Sequence, residues 1–214
     1  MKKKIYILSG LGADERVFQL LDLSAFDVVF IQWIRPLPKE SIEDYAKRLL
    51  VQITTENPII IGLSFGGMMT VEISKLIPTQ KIILISSAKG KAEIPFYFKI
   101  LGQLRIDTLV PTVLLKQSNF IVNWFFGLET KLEKDLLLQI LKDMDAVFLK
   151  WAIHQVLHWQ NDFVPQNLTH IHGAADRLLP LRFVQADYIL PNAGHFMVLK
   201  QHKEISELLR RVID

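Results

Sequence analysis

The sequence predicts an α/β protein, in which helices cover both faces of a doubly wound, mostly parallel sheet of about six strands. Short apolar runs, typical of strands buried on both faces, alternate with segments of helical periodicity. Such alternation with short connections indicates parallel strands linked by right-handed crossovers. From residue 89 to residue 165 strand signals become scarce and helical periodicity prevails. We therefore expect a core of residues 1–88 and 166–214, with a helical cap inserted at residues 89–165.

The composition excludes several classes of protein. The 214 residues include 25 Lys and Arg against 22 Asp and Glu, and the net charge of +3 is too small for a dedicated nucleic-acid binder. Half of the residues are hydrophobic, a share that disordered chains lack. Because cysteine is absent, a disulfide scaffold, a thiolate zinc site and a cysteine nucleophile are all excluded. The composition gives no indication of oligomeric state.

The sequence offers no membrane-spanning or export segment. Charged residues interrupt every apolar stretch before it reaches the ~18 to 20 residues that a bilayer span requires. The lysines at positions 2–4 precede an apolar run, residues 5–8, that is far too short for a signal peptide. To act as a membrane anchor, the lysine cluster would need a second signal. We therefore interpret it as a solvent-exposed segment at the start of the first strand. We expect a cytoplasmic protein.

Strands and helices are predicted to alternate along the first 88 residues. Strands are predicted at residues 5–8, 26–33, from residue 59 onward, and at 81–85. Helices are predicted at residues 13–21, 42–53 and 68–77. Ser41 is expected to cap the second helix, whose apolar residues have the spacing of a helix packed on a sheet.

The alternation returns after the helical segment. We predict a strand at residues 168–172, a helix at 181–187, a strand near 188–190 and a closing helix at 204–213. Within the helical segment, residues 94–163 hold 11 of the 21 Phe, Trp and Tyr residues. Most of these rings are expected to form the core between cap and sheet, and a few to line an apolar pocket. The candidates are Phe96, Phe98, Phe120, Trp124, Phe125, Phe126, Phe148, Trp151 and Trp159.

Residues 62–66 (GLSFG) match the pattern G-x-S-x-G, between a buried strand and a helix start. Glycines two positions before and after the serine let neighbouring backbone segments come close to the turn. A strained backbone holds the Ser64 hydroxyl exposed at the carboxyl edge of the sheet. The helix that follows adds partial positive charge beside a developing oxyanion. Taken alone, the pattern also fits a glycine-rich phosphate-binding or packing turn.

A serine nucleophile requires a histidine base and a carboxylate that orients the histidine. His195 lies in a predicted loop before the last helix, and Asp176 lies in the loop after a late strand. The resulting chain order is Ser, Asp, His. Asp162 and Asp187 are the rival carboxylates. Asp162 belongs to the predicted insertion and Asp187 to a predicted surface helix close to His195, so Asp176 is preferred.

With these three motifs in this order, the sequence resembles the α/β-hydrolase superfamily over residues 4–88 and 166–214. The resemblance implies that Ser64 is the nucleophile, His195 the general base and then acid, and Asp176 the orienting carboxylate. The chain starts directly at the strand of residues 5–8, without the two antiparallel strands that precede it in larger members. We therefore expect about six strands instead of eight.

The resemblance also implies an oxyanion hole made by the backbone N–H groups of Leu11 and Phe65. Many relatives carry His-Gly in the first loop, whereas this chain has Ser9 and Gly10, and the packing of this loop is expected to differ.

The implied function is that of a serine hydrolase that cleaves a small ester or thioester through an acyl-enzyme, without cofactor or metal. The partner is expected to be a small molecule with an apolar acyl or alcohol group, because an aromatic cap would cover the serine. Two alternatives stay open. One is acid and base chemistry without acylation, as in hydroxynitrile lyases; the other is a catalytically silent protein that binds a small hydrophobic ligand.

Other patterns give little support to a cofactor or metal site. Residues 10–12 (GLG) do not continue into a dinucleotide fingerprint, because Glu15 stands where the third glycine belongs. The pair His154 and His158 has zinc-ligand spacing, but the residue after His154 is not the glutamate that the metalloprotease motif needs. His170 and His172 share one face of a strand without an obvious third ligand.

Overall fold

Six parallel strands form the sheet of the computed structural model, in the order β2-β1-β3-β4-β5-β6. The structure describes residues 2–105, 110–117 and 119–213. The strands are β1 (Lys3–Leu8), β2 (Phe26–Phe30), β3 (Ile59–Leu63), β4 (Lys81–Ile85), β5 (Leu168–Gly173) and β6 (Tyr188–Leu190). The predicted α/β class and strand number are confirmed.

Helices lie between and after these strands. In the described residues they are α1 (Ile42–Leu49), α2 (Phe65–Ser74), α3 (Phe96–Gln103), α4 (Thr112–Leu115), α5 (Phe120–Phe126), α6 (Lys131–Asp143), α7 (Ala146–His158), α8 (Met197–Lys200) and α9 (His202–Ile213). The Ser41 hydroxyl caps α1 by accepting from the Asp44 N–H, as predicted. Within the described ranges, no helix is both long and apolar enough to cross a membrane.

The alternating side chains of the strands build two hydrophobic clusters, one on each face of the sheet. On one face, Ile7, Ile61 and Ile83 pack with residues of α9 and α6. On the other, Tyr6 and Leu84 pack with residues of α1, α2 and α7. The continuous apolar strands are explained by this double coverage, which leaves no wet face.

Five of the helices lie between β4 and β5, within residues 89–165. The two long ones, α6 and α7, each bury residues in a cluster of the sheet: Leu137 and Ile140 on one face, Phe148 and Ala152 on the other. Helices α3 and α5 bury almost nothing, since Gly102 is the buried residue of α3 and α5 has none. The segment is therefore anchored to the sheet by α6 and α7.

The helix predicted at residues 13–21 is wrong. The segment forms a single 3-10 turn, Glu15–Phe18, in which hydrogen bonds join residues three apart. Beyond the turn, the Asp22 N–H donates to the Ser206 hydroxyl of α9. This contact fixes the chain to α9 where a longer helix would have continued.

The helix predicted at residues 181–187 is also wrong, because only Leu181–Phe183 forms a 3-10 turn. The Gln185 N–H donates to the Glu93 carboxylate, and the Asp187 N–H donates to the His170 carbonyl of β5. These partners draw the backbone into an extended path. Smaller shifts affect α2, which begins at residue 65 rather than 68, and β2, which ends at residue 30 rather than 33.

His170 lies on β5 and is fully buried in the interior. Burial, together with the charge of the nearby His172, lowers the pKa of its imidazole to about 3. The unfolded chain takes up a proton as pH falls below about 6.5, while the folded protein keeps His170 neutral. The free energy of unfolding therefore falls as the solution is acidified through this window.

We expect His170→Leu to reduce the slope of unfolding free energy against pH by about 1.4 kcal/mol per pH unit between about pH 6 and pH 4. Urea denaturation at several pH values measures this slope. The wild-type protein, measured in parallel, gives the reference slope. Equal slopes for His170→Leu and the wild type would contradict the buried neutral imidazole.

Candidate active site

Ser64 forms the whole turn between β3 and α2, since β3 ends at residue 63 and α2 starts at residue 65. Its backbone has φ 52° and ψ −119°, a conformation that is rare for a residue with a side chain. A β-carbon at Gly62 would collide with Gly67, and one at Gly66 would collide with the Ser9 carbonyl of the β1 loop. The turn is this tight because glycines allow backbone to touch backbone.

Two hydrogen bonds hold the Ser64 backbone. Its N–H donates to the Ile85 carbonyl at 2.9 Å, and its carbonyl accepts from the Ser87 hydroxyl at 2.6 Å. Ser87 is fully buried, and its side chain occupies the space that a β-carbon at Gly67 would need. The segment after β4 therefore fixes the strained turn in place.

Ser64, His195 and Asp176 lie within hydrogen-bond distance of one another in series. The Ser64 Oγ is 2.9 Å from His195 Nε2, and His195 Nδ1 is 2.8 Å from Asp176 Oδ2. His195 and Asp176 are buried, at 2% and 3% exposure. The ring of Phe126 contacts the imidazole edge-on, with 5.5 Å between ring centroids. The structure thus brings together the three side chains that the sequence singled out.

The two loops that carry Asp176 and His195 are joined to each other. The Ala175 N–H donates to the Ala193 carbonyl at 2.9 Å. A β-carbon at Gly173 would collide with the same carbonyl. Both loops begin at the carboxyl ends of adjacent strands, β5 and β6. Their side chains therefore meet beside the β3–α2 turn.

Asp176 is held as a carboxylate by several donors. Its Oδ1 accepts from the Leu178 and Leu179 N–H groups at 2.9 and 2.8 Å, while Oδ2 faces His195. Burial by itself would raise the pKa of Asp176, but the charge and hydrogen bond of His195, the charge of His172 and the backbone donor keep this pKa below its ordinary value. An ionised Asp176 accepts from Nδ1, so Nε2 faces the serine as an acceptor.

The side chain of His172 supports the loop that carries Asp176. Its Nε2 is 2.8 Å from the Leu179 carbonyl, which can only accept, so Nε2 carries the proton. The same nitrogen is 3.6 Å from Asp176 Oδ2. Burial lowers the pKa of His172, an effect that the Asp176 charge opposes. No sequence pattern predicts this role of His172, because only the folded loop brings residues 172, 176 and 179 together.

The two predicted oxyanion residues, Leu11 and Phe65, both line the cavity that contains Ser64. Among the described residues, neither backbone N–H donates a hydrogen bond. In the β1 loop, the Ser9 hydroxyl accepts from Trp33 Nε1 at 2.9 Å. The Trp33 ring lies 5.5 Å from the Phe65 ring and thereby connects the two predicted oxyanion segments.

Ser64 opens into a cavity of about 290 Å³ between the sheet edge and the helices of residues 89–165. Its lining comes from the β1 loop, α2, α3, α4, α5, α7 and the Asp176 loop. Within the described residues, Ser64 is the one lining residue with a hydroxyl, amide or charged side chain. The others are Leu11, Phe65, Met68, Ile94, Phe98, Leu101, Val110, Leu115, Phe126, Ile153, Val156, Leu157, Leu178 and Leu179.

The aromatic residues of the helical segment only partly follow the prediction. Phe148 and Trp159 are buried, and Phe98 and Phe126 line the cavity, as expected for core and pocket. Five of the nine belong to the hydrophobic clusters or pack against them, namely Phe98, Phe126, Phe148, Trp151 and Trp159. Phe96, Phe120 and Trp124 are exposed, while Phe98, Phe125, Phe126 and Trp151 are half-buried. The three exposed rings lie on α3 and α5, the helices that bury almost nothing.

The rival carboxylates have structural partners elsewhere. Asp187 accepts from the His170 N–H of β5 at 2.7 Å, and the exposed Asp162 pairs with Lys91. The rings of His154 and His158 stack 4.1 Å apart on α7. In residues 2–105, 110–117 and 119–213, no group of three or more His, Asp or Glu side chains is arranged to hold a metal ion. Glu15, which breaks the dinucleotide fingerprint, belongs to the 3-10 turn after β1.

No protein-family model matches the sequence, and no curated protein matches it significantly. Solved structures do resemble the fold. A hydrolase from Oleispira antarctica has a TM-score of 0.68 at 14% identity, over 100% of this chain and 91% of its own. A lipase-esterase related protein from Clostridium acetobutylicum has a TM-score of 0.70 at 14% identity, over 98% and 94%. A bromoperoxidase from Bacillus anthracis has a TM-score of 0.67 at 15% identity, over 100% and 92%.

These likenesses span the whole chain, including the helices between β4 and β5. Together with the six-stranded parallel sheet and its helices on both faces, they identify the fold more narrowly than the α/β class does. The chain has the α/β-hydrolase fold.

Proposed function

We propose that the protein is a serine hydrolase that cleaves a small ester or thioester with an apolar acyl or alcohol group, through an acyl-enzyme. The observation that carries this proposal is the hydrogen-bonded series from Asp176 through His195 to Ser64, which ends in a cavity with an otherwise apolar lining. Two structural neighbours, the lipase-esterase related protein and a thermophilic esterase from Thermogutta terrifontis, agree with hydrolysis. Helices α3–α7 act as the cap over the serine.

In the proposed reaction, Ser64 Oγ attacks the carbonyl carbon while His195 Nε2 takes the hydroxyl proton. Asp176 holds the Nδ1 proton and stabilises the imidazolium. His195 then returns the proton to the departing alcohol or thiol, which leaves an acyl-enzyme on Ser64. A water molecule, deprotonated by His195, attacks the acyl-enzyme, and the serine leaves with the proton. Each step uses the two short contacts of His195 described above.

The tetrahedral intermediates carry a negative oxygen that requires donors. The Leu11 and Phe65 N–H groups serve as this oxyanion hole, since both residues line the cavity and neither donor is used elsewhere in the described residues. Phe65 is also the first residue of α2, where the helix dipole favours negative charge. Trp33 acts as a positioning residue for the β1 loop through its bond to Ser9.

The cavity sets the size of the acyl or alcohol group. A volume of about 290 Å³ is near the lower end of the ~300 to 1,000 Å³ that is typical of small-molecule sites. Such a space suits a short to medium apolar group and excludes water from the serine.

We expect Ser64→Ala to lower kcat for p-nitrophenyl esters by a factor on the order of 10⁶, because no other group supplies the nucleophile. The assay compares a series of increasing acyl length. Ser74→Ala, at the end of the same helix, is the matched control and should keep its activity. Equal activity of Ser64→Ala and the wild type would refute the proposal.

Reaction with a fluorophosphonate separates the remaining alternatives. Labelling of Ser64 without ester turnover would favour chemistry without acylation, and no labelling would favour a silent binding protein.

Asp176→Asn is expected to lower kcat by about 10⁴, because an amide cannot hold the same tautomer of His195. KM should change little, since Asp176 does not line the cavity. Asp162→Asn provides the control of equal chemistry on an exposed site. If Asp176→Asn retained wild-type kcat, another group would have to orient the histidine.

Val156→Phe should shorten the longest accepted acyl chain, because Val156 faces the cavity from α7. We expect unchanged kcat/KM for the acetyl ester and a decrease of about tenfold or more for the longest substrates of the wild type. Steady-state kinetics across the ester series test this. A uniform decrease for all chain lengths would indicate a general folding defect instead.

A further inference from the structure

Helices α3, α4 and α5 expose an unusual amount of apolar surface. Nine large apolar side chains in the described ranges are more than half exposed, and six of them lie between residues 96 and 121. We call these six the α3–α5 surface: Phe96, Leu104, Val113, Leu114, Phe120 and Ile121. Scattered exposed leucines are ordinary in globular proteins, whereas a concentration of this kind marks an interaction surface.

The same helices line the cavity of Ser64. Phe98 and Leu101 of α3, Leu115 of α4 and Phe126 of α5 all contact the cavity, and Leu101 is itself exposed. The helices that carry the α3–α5 surface therefore also form part of the wall of the Ser64 cavity. A partner bound to this surface would lie beside that wall.

Positive charge accompanies the apolar surface. Residues 94–127 contain three basic residues, Lys99, Arg105 and Lys116, against a single acidic residue. Two further arginines contact its edge from the neighbouring loops. The Arg177 guanidinium lies 4.8 Å from the ring of Trp124 on α5, and that of Arg182 lies 4.9 Å from the Phe183 ring, which contacts Phe96.

This charge decides between two occupants. A second copy of the chain would bring the same cations face to face across a two-fold axis, and like charges oppose such a contact. An anionic lipid surface has the opposite charge and takes up exposed Phe, Leu and Ile side chains at the level of its headgroups. Apolar residues among basic ones are the composition of interfacial segments.

We propose that the α3–α5 surface binds the protein to anionic lipid surfaces. Bound in this way, the cavity wall formed by these helices lies beside the acyl chains of the layer, so an acyl group passes from lipid to Ser64 without crossing water. That delivery rests on the proposed hydrolase function. The binding itself does not, because no residue of the α3–α5 surface is part of the catalytic series.

Flotation with vesicles tests the binding separately from catalysis. The full-length Ser64→Ala protein, which cannot consume the lipid, is mixed with vesicles of phosphatidylcholine containing phosphatidylglycerol, and with vesicles of phosphatidylcholine alone. We expect flotation with the anionic vesicles, weaker flotation with the neutral ones, and loss of the difference at high salt.

Phe120→Asp, added to Ser64→Ala, should reduce the vesicle-bound fraction at least about tenfold. Phe120 is the first residue of α5, a position where a helix tolerates an acidic side chain. Val51→Asp and Leu132→Asp are matched controls with the same added charge, because both residues are as exposed as Phe120 but lie outside the surface. Phe120→Leu should retain binding. In the Ser64 protein, Phe120→Asp should leave turnover of the soluble acetyl ester unchanged.

Absence of flotation, or equal losses in Phe120→Asp and the control variants, would overturn the proposal. So would a wild-type dimer in lipid-free solution that Phe120→Asp dissociates, since the occupant would then be a second copy. Flotation without any ester turnover by the wild type would refute the hydrolase function while supporting the lipid-binding surface. Turnover without flotation would support the hydrolase function and refute the lipid-binding surface.

Discussion

The backbone of the β3–α2 turn, the backbone of the β1 loop and the Ser87 side chain lie so close together that glycine is required at residues 62, 66 and 67. This contact forces the intervening Ser64 into a positive φ and leaves its hydroxyl at the carboxyl edge of the sheet. The loops after β5 and β6 end at the same edge, because all six strands are parallel. The geometry of the site therefore depends on a steric constraint in the interior, away from any substrate.

Around this turn, the site is supported by contacts from several parts of the chain. Ser87 holds the serine carbonyl, His172 holds the Asp176 loop, and Trp33 holds the β1 loop. All three are polar groups with a hydrogen-bond partner inside an apolar environment, where an unpaired group would be costly. We expect them to restrict the motion of Ser64, His195 and Asp176, and the proposed reaction has little tolerance for misplaced atoms.

The sequence was informative where local pattern and tertiary structure agree. The apolar runs of β4 and β6 predicted the first and last residues of these strands. The pattern around Ser64 predicted its position between a buried strand and the start of a helix. Residues 13–21 and 181–187 have helical spacing, yet contacts with Ser206, Glu93 and β5 compete successfully for their backbone groups. The supporting roles of Trp33, Ser87 and His172 could not be predicted, because each depends on a partner distant in sequence or on a folded loop. Nor does periodicity distinguish a ring that faces the core from one that faces solvent, as Phe120 illustrates.

The apolar lining of the cavity also limits how selective the protein is. In the part of the lining that the structure describes, Ser64 is the one polar side chain, so the remaining side chains distinguish ligands by volume and shape, and one methylene group changes affinity only about 10- to 200-fold. Apart from Ser64, these side chains offer no buried donor or acceptor that an incorrect ligand would leave unpaired. The protein is therefore suited to a range of chemically related molecules rather than to a single one, and its selectivity can change through single substitutions in α3 or α7.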